Sequence, residues 1–204
     1  MDLPPSVSVY SFIVARPISE DKRNAILSAA TRVFAERGLG AATSAISSAA
    51  GVAEGTLFTY FKTKDDLVNA LYRDIKLEMA DAMMSRFPRK KSVRLRLQHV
   101  WDQYVEWGVS NPPQHRVLKQ IEVWSGLTQE SKSAGSAPFA EIQTMTDDAA
   151  AQHILQDLPR RFITATMSAL ADTTMELIRE HPKQAEVYRT RGFEMLWAGL
   201  VRKR

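Results

Sequence analysis

Arg23 to Tyr72 reads RNAILSAATRVFAERGLGAATSAISSAAGVAEGTLFTYFKTKDDLVNALY, and its punctuation decides the fold. Ile26, Ala29, Ala30, Val33 and Phe34 recur at the i, i+3, i+4, i+7, i+8 spacing that lays one apolar stripe along a helix. Ser19, just upstream, can cap that helix, and Glu20 and Asp21 place negative charge in its positive first turn. Gly38 ends it, because the residue after a helix strongly favours glycine. Thr43 is expected as the N-cap of a short second helix through Ala50, which Gly51 terminates and over which Val52 folds back. A third short helix is expected from about Glu54 to Phe61. A longer one follows, with Thr63 as N-cap and Leu67, Leu71, Ile75 and Met79 on one side. Three helices within about 45 residues, two very short and joined by a glycine-containing turn, describe a helix-turn-helix.

Outward from this stretch the chain remains helical. Pro88-Arg89-Lys90-Lys91 punctuates it, and further helices are expected at about 92–110, 113–125, 136–152, 160–180 and 183–202. The breaks are Asn111-Pro112-Pro113, the polar stretch Thr128 to Pro138, Asp157-Leu158-Pro159 and His181-Pro182. There is no strand-type alternation, internal repeat or coiled-coil heptad, so the expected class is all-α. The 204 residues, 45% hydrophobic and 25% charged, have globular composition. Three units are expected: a flexible N-terminal arm over 1–19, the helix-turn-helix over 20–66, and a larger helical domain over 67–204. The arm can alternatively pack on the body or reach into a DNA minor groove.

Other features narrow the function. Cysteine is absent, which excludes a disulfide framework, a thiol nucleophile and thiolate-bound zinc, and fits a cytoplasmic location. No apolar run approaches the roughly 18–20 residues of a membrane span. The net charge of +4 permits nucleic-acid binding but is too small to establish it. His99, His115, His153 and His181 include no i, i+4 pair, and Gly38-Leu39-Gly40 follows no strand, so neither a helical metal site nor a dinucleotide fingerprint is present. No cofactor, metal or enzymatic activity is expected.

The quoted stretch resembles the TetR family of bacterial transcriptional regulators. The likeness rests on Ala30, Phe34, Ala35 and Gly38, then Ala50-Gly51-Val52, then Gly55-Thr56-Leu57-Phe58-x-Tyr60-Phe61, and Lys64-x-x-Leu67. It implies double-stranded operator DNA as partner and assigns roles on the matching residues. Thr43 and Ser44, opening the second helix, resemble phosphate or base contacts. Thr56 and Thr59 resemble recognition-helix contacts, Tyr60 the aromatic whose hydroxyl meets a phosphate, and Lys64 the lysine that grips the backbone, with Lys62 beside it. Leu57 and Phe61, four apart, face Phe34 and Ile46, which turns Ala53, Glu54, Gly55, Thr56, Phe58, Thr59 and Tyr60 toward the groove. Phe58 stands where the family usually has tyrosine, and Ala53 where it usually has a hydroxyl. Glu54 would repel phosphate unless it accepts from a cytosine amino group, and is otherwise an exposed carboxylate at a helix start.

The remainder carries no named motif. The resemblance implies a C-terminal domain that senses a small-molecule effector and forms a homodimer through the helices at about 160–180 and 183–202. The first of these has Phe162, Ala165, Thr166, Ala169 and Thr173 along one side and a second apolar face of Ile163, Met167, Leu170, Leu177 and Ile178. Two faces fit an intersubunit four-helix bundle, or alternatively a single buried core. Trp101, Tyr104, Trp107, Trp124, Phe139 and Met145 are the bulky candidates for a ligand pocket. The expected function is a repressor released by a small molecule. The alternative is a regulator controlled by a protein partner, or an activator, with no such effector.

Overall fold

Ser19 opens the described structure in a β conformation, and its hydroxyl accepts a hydrogen bond from the Lys22 N–H. A computed structural model of the chain describes residues 19–202, so the arm expected over 1–19 lies outside the described residues but for Ser19. Four helices follow: α1 (Glu20–Arg37), α2 (Thr43–Ala49), α3 (Glu54–Tyr60) and α4 (Lys64–Met84). The body continues with α5 (Val93–Ser110), α6 (Pro112–Glu122), α7 (Gln129–Ser136), α8 (Ala140–Ala151), α9 (Arg160–Glu180) and α10 (Ala185–Leu200). One-turn 3-10 helices, Ala137–Phe139 and Pro182–Gln184, lead into α8 and α10. The class is all-α, an N-terminal helix-turn-helix followed by a larger helical bundle; the only β-type pairing among the described residues is an isolated bridge of Leu155 with Val201.

Side-chain caps open four of the α-helices, at Ser19, Thr63, Ser92 and Thr128. Thr63 and Asp66 form a reciprocal capping box at the head of α4: Asp66 N–H donates to Thr63 Oγ1 at 3.0 Å and Thr63 N–H to Asp66 Oδ2 at 3.1 Å. Two expectations need correction. Ala42, not Thr43, is the N-cap of α2, and it makes no side-chain cap bond. Thr43 instead lies inside the first turn, where its hydroxyl donates to Glu54 Oε1 at 2.6 Å. The polar stretch from Thr128 to Pro138 is not a break but contains α7, capped by Thr128 accepting from Ser131 N–H.

Packing joins head and body into one continuous apolar core. Leu57 and Phe61 are buried with Phe34 and Ile46, as their spacing implies. Gly51, at φ +67, makes the turn between α2 and α3, a conformation that a side chain would strain. The 66/67 boundary expected from sequence falls within the first turn of α4, which runs unbroken from the head into the body. Asn69 on α4 is buried and fully bonded: it donates to Asp65 O and Gly126 O, and accepts from the N–H and hydroxyl of Thr128. From α6, Arg116 donates to Ala35 O and Gln120 to Phe34 O, the latter already accepting from Gly38 N–H, so the body grips the carbonyls at the end of α1.

Candidate nucleic-acid interface

The surface of α3 separates cleanly into an inward and an outward set. Leu57 is fully buried, whereas Ala53, Glu54, Gly55, Phe58 and Thr59 are exposed and Thr56 and Tyr60 are half-buried. Ala53 is the N-cap of the helix and Glu54 its first residue. A Cβ added at Gly55 would meet nothing within 4 Å, so packing within the chain does not require glycine there. The Thr59 hydroxyl donates to Gly55 O at 3.0 Å, which fixes its rotamer along the helix. Phe58, 39% exposed, is a large aromatic turned outward on a helix of about two turns.

The flanking residues surround this helix. Thr43 and Glu54 are joined by their hydrogen bond, which ties the start of α2 to the start of α3 and occupies part of both side chains. That contact spans eleven residues and has no periodic signature, so spacing could not reveal it. Ser44 is exposed on α2 next to Thr43. Tyr60 reaches back to the start of α1, where its hydroxyl oxygen accepts the Ser19 N–H at 3.0 Å. Its own O–H proton is therefore left to donate elsewhere. Lys62 is exposed in the turn before α4; Lys64 is the first residue of α4, its ammonium 5.9 Å from the centre of the Phe34 ring. Thr43, Ser44, the outward residues of α3, Lys62 and Lys64 thus lie on consecutive elements, with Thr43 and Glu54 in direct contact.

The six bulky body residues do not form one site. Trp101 is fully buried, donates its indole N–H to Arg189 O at 2.9 Å, and lies against Gly192, where a Cβ would collide with it. Tyr104 and Trp107 are buried and stacked, and Trp107 donates to Glu78. Burial pushes the Tyr104 hydroxyl well above the ordinary tyrosine range. Met145 is buried. Trp124 is half-buried over Gly126, and Phe139 half-buried beneath the Lys76 ammonium at 4.7 Å. None of the six lines the two clefts described in the molecule, which run along α1 and α4.

Behind Tyr104 lies a polar cluster that the sequence reading did not anticipate. Asp172 on α9 accepts from Lys119 at 2.9 Å and pairs with His115 Nε2 at 2.9 Å. Burial alone would raise the Asp172 pKa, but the hydrogen bonds and charges of His115 and Lys119 outweigh it and hold the carboxyl below its usual range. Among the described residues no group of three or more His, Cys, Asp or Glu is placed to hold a metal ion, and no helix is long and apolar enough to cross a membrane.

Comparison with known proteins agrees with this geometry. Residues 26–71 match the profile of bacterial regulatory proteins, tetR family. Over 115 residues, 53% of this chain, the sequence is 28% identical to the HTH-type transcriptional regulator PksA of Bacillus subtilis (strain 168), and the match spans 51% of that protein's length. The fold resembles that of a TetR family transcription regulator from Marinobacter aquaeolei VT8, with a TM-score of 0.82, 20% identity, and 90% of this chain and 97% of that one covered. It also resembles the TetR-like regulator LfrR from Mycobacterium smegmatis, whose structure is in complex with proflavine, with a TM-score of 0.65, 20% identity, and 91% and 100% covered. Residues 26–71 therefore match the DNA-binding region of bacterial regulatory proteins of the tetR family, and the chain as a whole shares the fold of TetR family regulators of known structure.

Proposed function

We propose that this protein is a sequence-specific DNA-binding repressor that grips a near-palindromic operator as a homodimer and is released by a small molecule. Members of the family generally bind DNA as dimers and are often ligand-controlled repressors. The observation that carries the reading for this chain is Gly55. Glycine lowers helix propensity by up to roughly 0.5–1 kcal/mol relative to alanine, the value for a helix interior, and at Gly55, the second residue of α3, no neighbour needs the space; close approach of the backbone to DNA gives that cost a purpose. In this reading Ser44, Tyr60, Lys62 and Lys64 hold phosphates, with Thr43 contributing its backbone N–H at the start of α2 because its hydroxyl proton is given to Glu54, while Ala53, Glu54, Gly55, Thr56, Phe58 and Thr59 face the major groove. Phe58 offers apolar contact to a thymine methyl. Glu54, bonded to Thr43, sets the angle between α2 and α3.

Dimer formation through α9 and α10 is supported by what they leave outside. Phe162, Ala165, Thr166, Ala169 and Thr173 are all exposed along α9, as are Val187 and Met195 on α10. Two heads so joined would meet successive major grooves roughly 34–36 Å apart or slightly more. A second reading, control by a protein partner, is favoured by the closed packing around Trp101, Tyr104, Trp107 and Met145.

Fluorescence anisotropy with the DNA upstream of the protein's own gene, titrated with salt, tests the proposal. Saturable binding that weakens steeply with salt is expected. Undetectable or salt-insensitive binding would remove it. Thr56→Ala should change the preference among operator variants.

A further inference from the structure

We propose that the cleft between the helix-turn-helix and the body binds a phosphate monoester carried on a small hydroxylated frame, of the sugar-phosphate class. The cleft has a volume of about 440 Å3 and is open at its mouth. That lies within the range of small-molecule sites and is far larger than inorganic phosphate needs. Its walls come from four places in the chain: the first turn of α1, the α3–α4 turn, one face of α4, and the start of α7.

Three cationic side chains line it from separate elements: Arg23 from α1, Lys62 from the turn and Arg73 from midway along α4. The carboxylates Asp66 and Glu130 share the lining with them, and none of the three cations forms a close ion pair. Arg23 reaches Asp74 only at 3.9 Å. Arg73 donates to a neutral acceptor, Ser131 Oγ, at 2.6 Å. Asp66, on the same wall, is held in the capping box by the Thr63 N–H. Guanidinium and ammonium donors directed at one acceptor group make the strongest hydrogen bonds available to a phosphate. Tyr60 adds an O–H whose oxygen already accepts from Ser19, which leaves its proton available for a ligand acceptor. Glu130, on the opposite side, is suited to accept from ligand hydroxyls, which is why the class is a hydroxylated ester rather than a bare anion.

The floor is rigid. Asn69 and Thr128 spend their polar atoms on one another and on neighbouring backbone. An operator backbone suits this cleft less well, because a deoxyribose-phosphate chain offers Glu130, in the same lining, no hydroxyl from which to accept. The site deepens the reading above and rests on it in one respect: Tyr60 and Lys62 are there assigned to operator phosphates. Ligand and DNA then draw on the same two side chains, so the bound ester lowers DNA affinity.

Isothermal titration calorimetry of the full chain without DNA tests the site alone, with glucose 6-phosphate and ribose 5-phosphate as probes and chloride matching ionic strength. At least one should bind, more tightly than inorganic phosphate, and Lys62→Ala or Arg73→Ala should weaken it about tenfold or more. Lys62 is exposed, so its variant carries the test if loss of the Arg73–Ser131 bond impairs folding. No heat from either ester up to about 10 mM overturns the proposal. So does equal binding by wild type and both variants, or inorganic phosphate binding as tightly as the esters. If Arg73→Ala lowers DNA affinity and its salt slope while neither ester binds, the cleft belongs to the DNA backbone and the proposal falls. If an ester binds as expected but leaves DNA affinity unchanged, the site stands and the assignment of Tyr60 and Lys62 to the operator fails instead.

Discussion

The helix-turn-helix and the body use the same material, packed helices, but they differ in what they turn outward. In the head the large apolar groups Phe34, Ile46, Leu57 and Phe61 go inside, and α3 shows a glycine, two threonines and a lone phenylalanine. In the body the aromatics Trp101, Tyr104 and Trp107 are inside, yet α9 and α10 still expose Phe162, Val187 and Met195. The first surface gives up helix stability at Gly55; the second leaves apolar area in water at roughly 25 cal/mol per Å2. Neither cost is offset within one chain. The contrast fits a polar, charged partner for the head and an apolar one, such as a second copy, for the body.

The sharpest way to break this comparison is to damage the body's interior and watch the head. Trp101→Ala removes a fully buried indole and its bond to Arg189 O, and should cost about 3–5 kcal/mol in denaturant unfolding. Because one core runs through both regions, a single unfolding transition is expected; a head that melts separately would show two independent units. Asn69→Ala comes next. It strands the Thr128 N–H and Gly126 O, for a loss of about 2–3 kcal/mol by the same measurement. Thr63→Ala deletes the α4 cap and should cost about 1 kcal/mol. Lys64→Ala should leave the unfolding midpoint nearly unchanged but lower the salt slope of DNA binding by about 1 for every sequence. An unaltered slope would detach Lys64 from the backbone.

The smallest effect is a pH dependence confined to the body. The folded-state pKa of Asp172 is held below its unfolded value. Its contribution is therefore present above the ordinary carboxylate range, about pH 4, and is lost as pH falls through the depressed value. Asp172→Asn should destabilise by about 1 kcal/mol or less at pH 7, and the gap from wild type should close toward pH 3 in urea titrations. A gap that persists in acid would assign the loss to packing.

The head was largely legible because its signals are local. Ser19 and Thr63 cap where their chemistry says they should, and Gly51 turns the chain at a positive φ. Legibility ends where a residue's partner lies far along the chain. Thr43 looked like an N-cap because a hydroxyl before an apolar run usually is one; Glu54, eleven residues away, draws it into the first turn instead. Helix α7 was missed for a different reason. Its sequence, QESKSAGS, has no apolar stripe, and it packs on α4 through size. Ser131 is buried against Arg73, and Gly135 lies so close to Tyr72 and Lys76 that no larger residue fits. In the body, aromatic spacing alone could not distinguish a packed interior from a pocket wall, since both require the same side chains. Cationic Arg23 and Arg73 meet at a cleft only because α1 and α4 run side by side.

Helix α4 has a mechanical consequence. Its 21 residues contain neither glycine nor proline, and its cap is locked at one end while the chain breaks at Arg86 and Pro88 just past the other. At 1.5 Å per residue such a rod is about 30 Å long, and it has no weak point at which to bend. Any disturbance at its far end must reach the head as rotation of the whole rod. A tilt of about 5° about that end would carry Lys64 through roughly 2.5 Å, close to the length of a hydrogen bond. The gearing is set by backbone stiffness, so a contact too small to alter the body's shape is still enough to take a lysine out of reach of a phosphate.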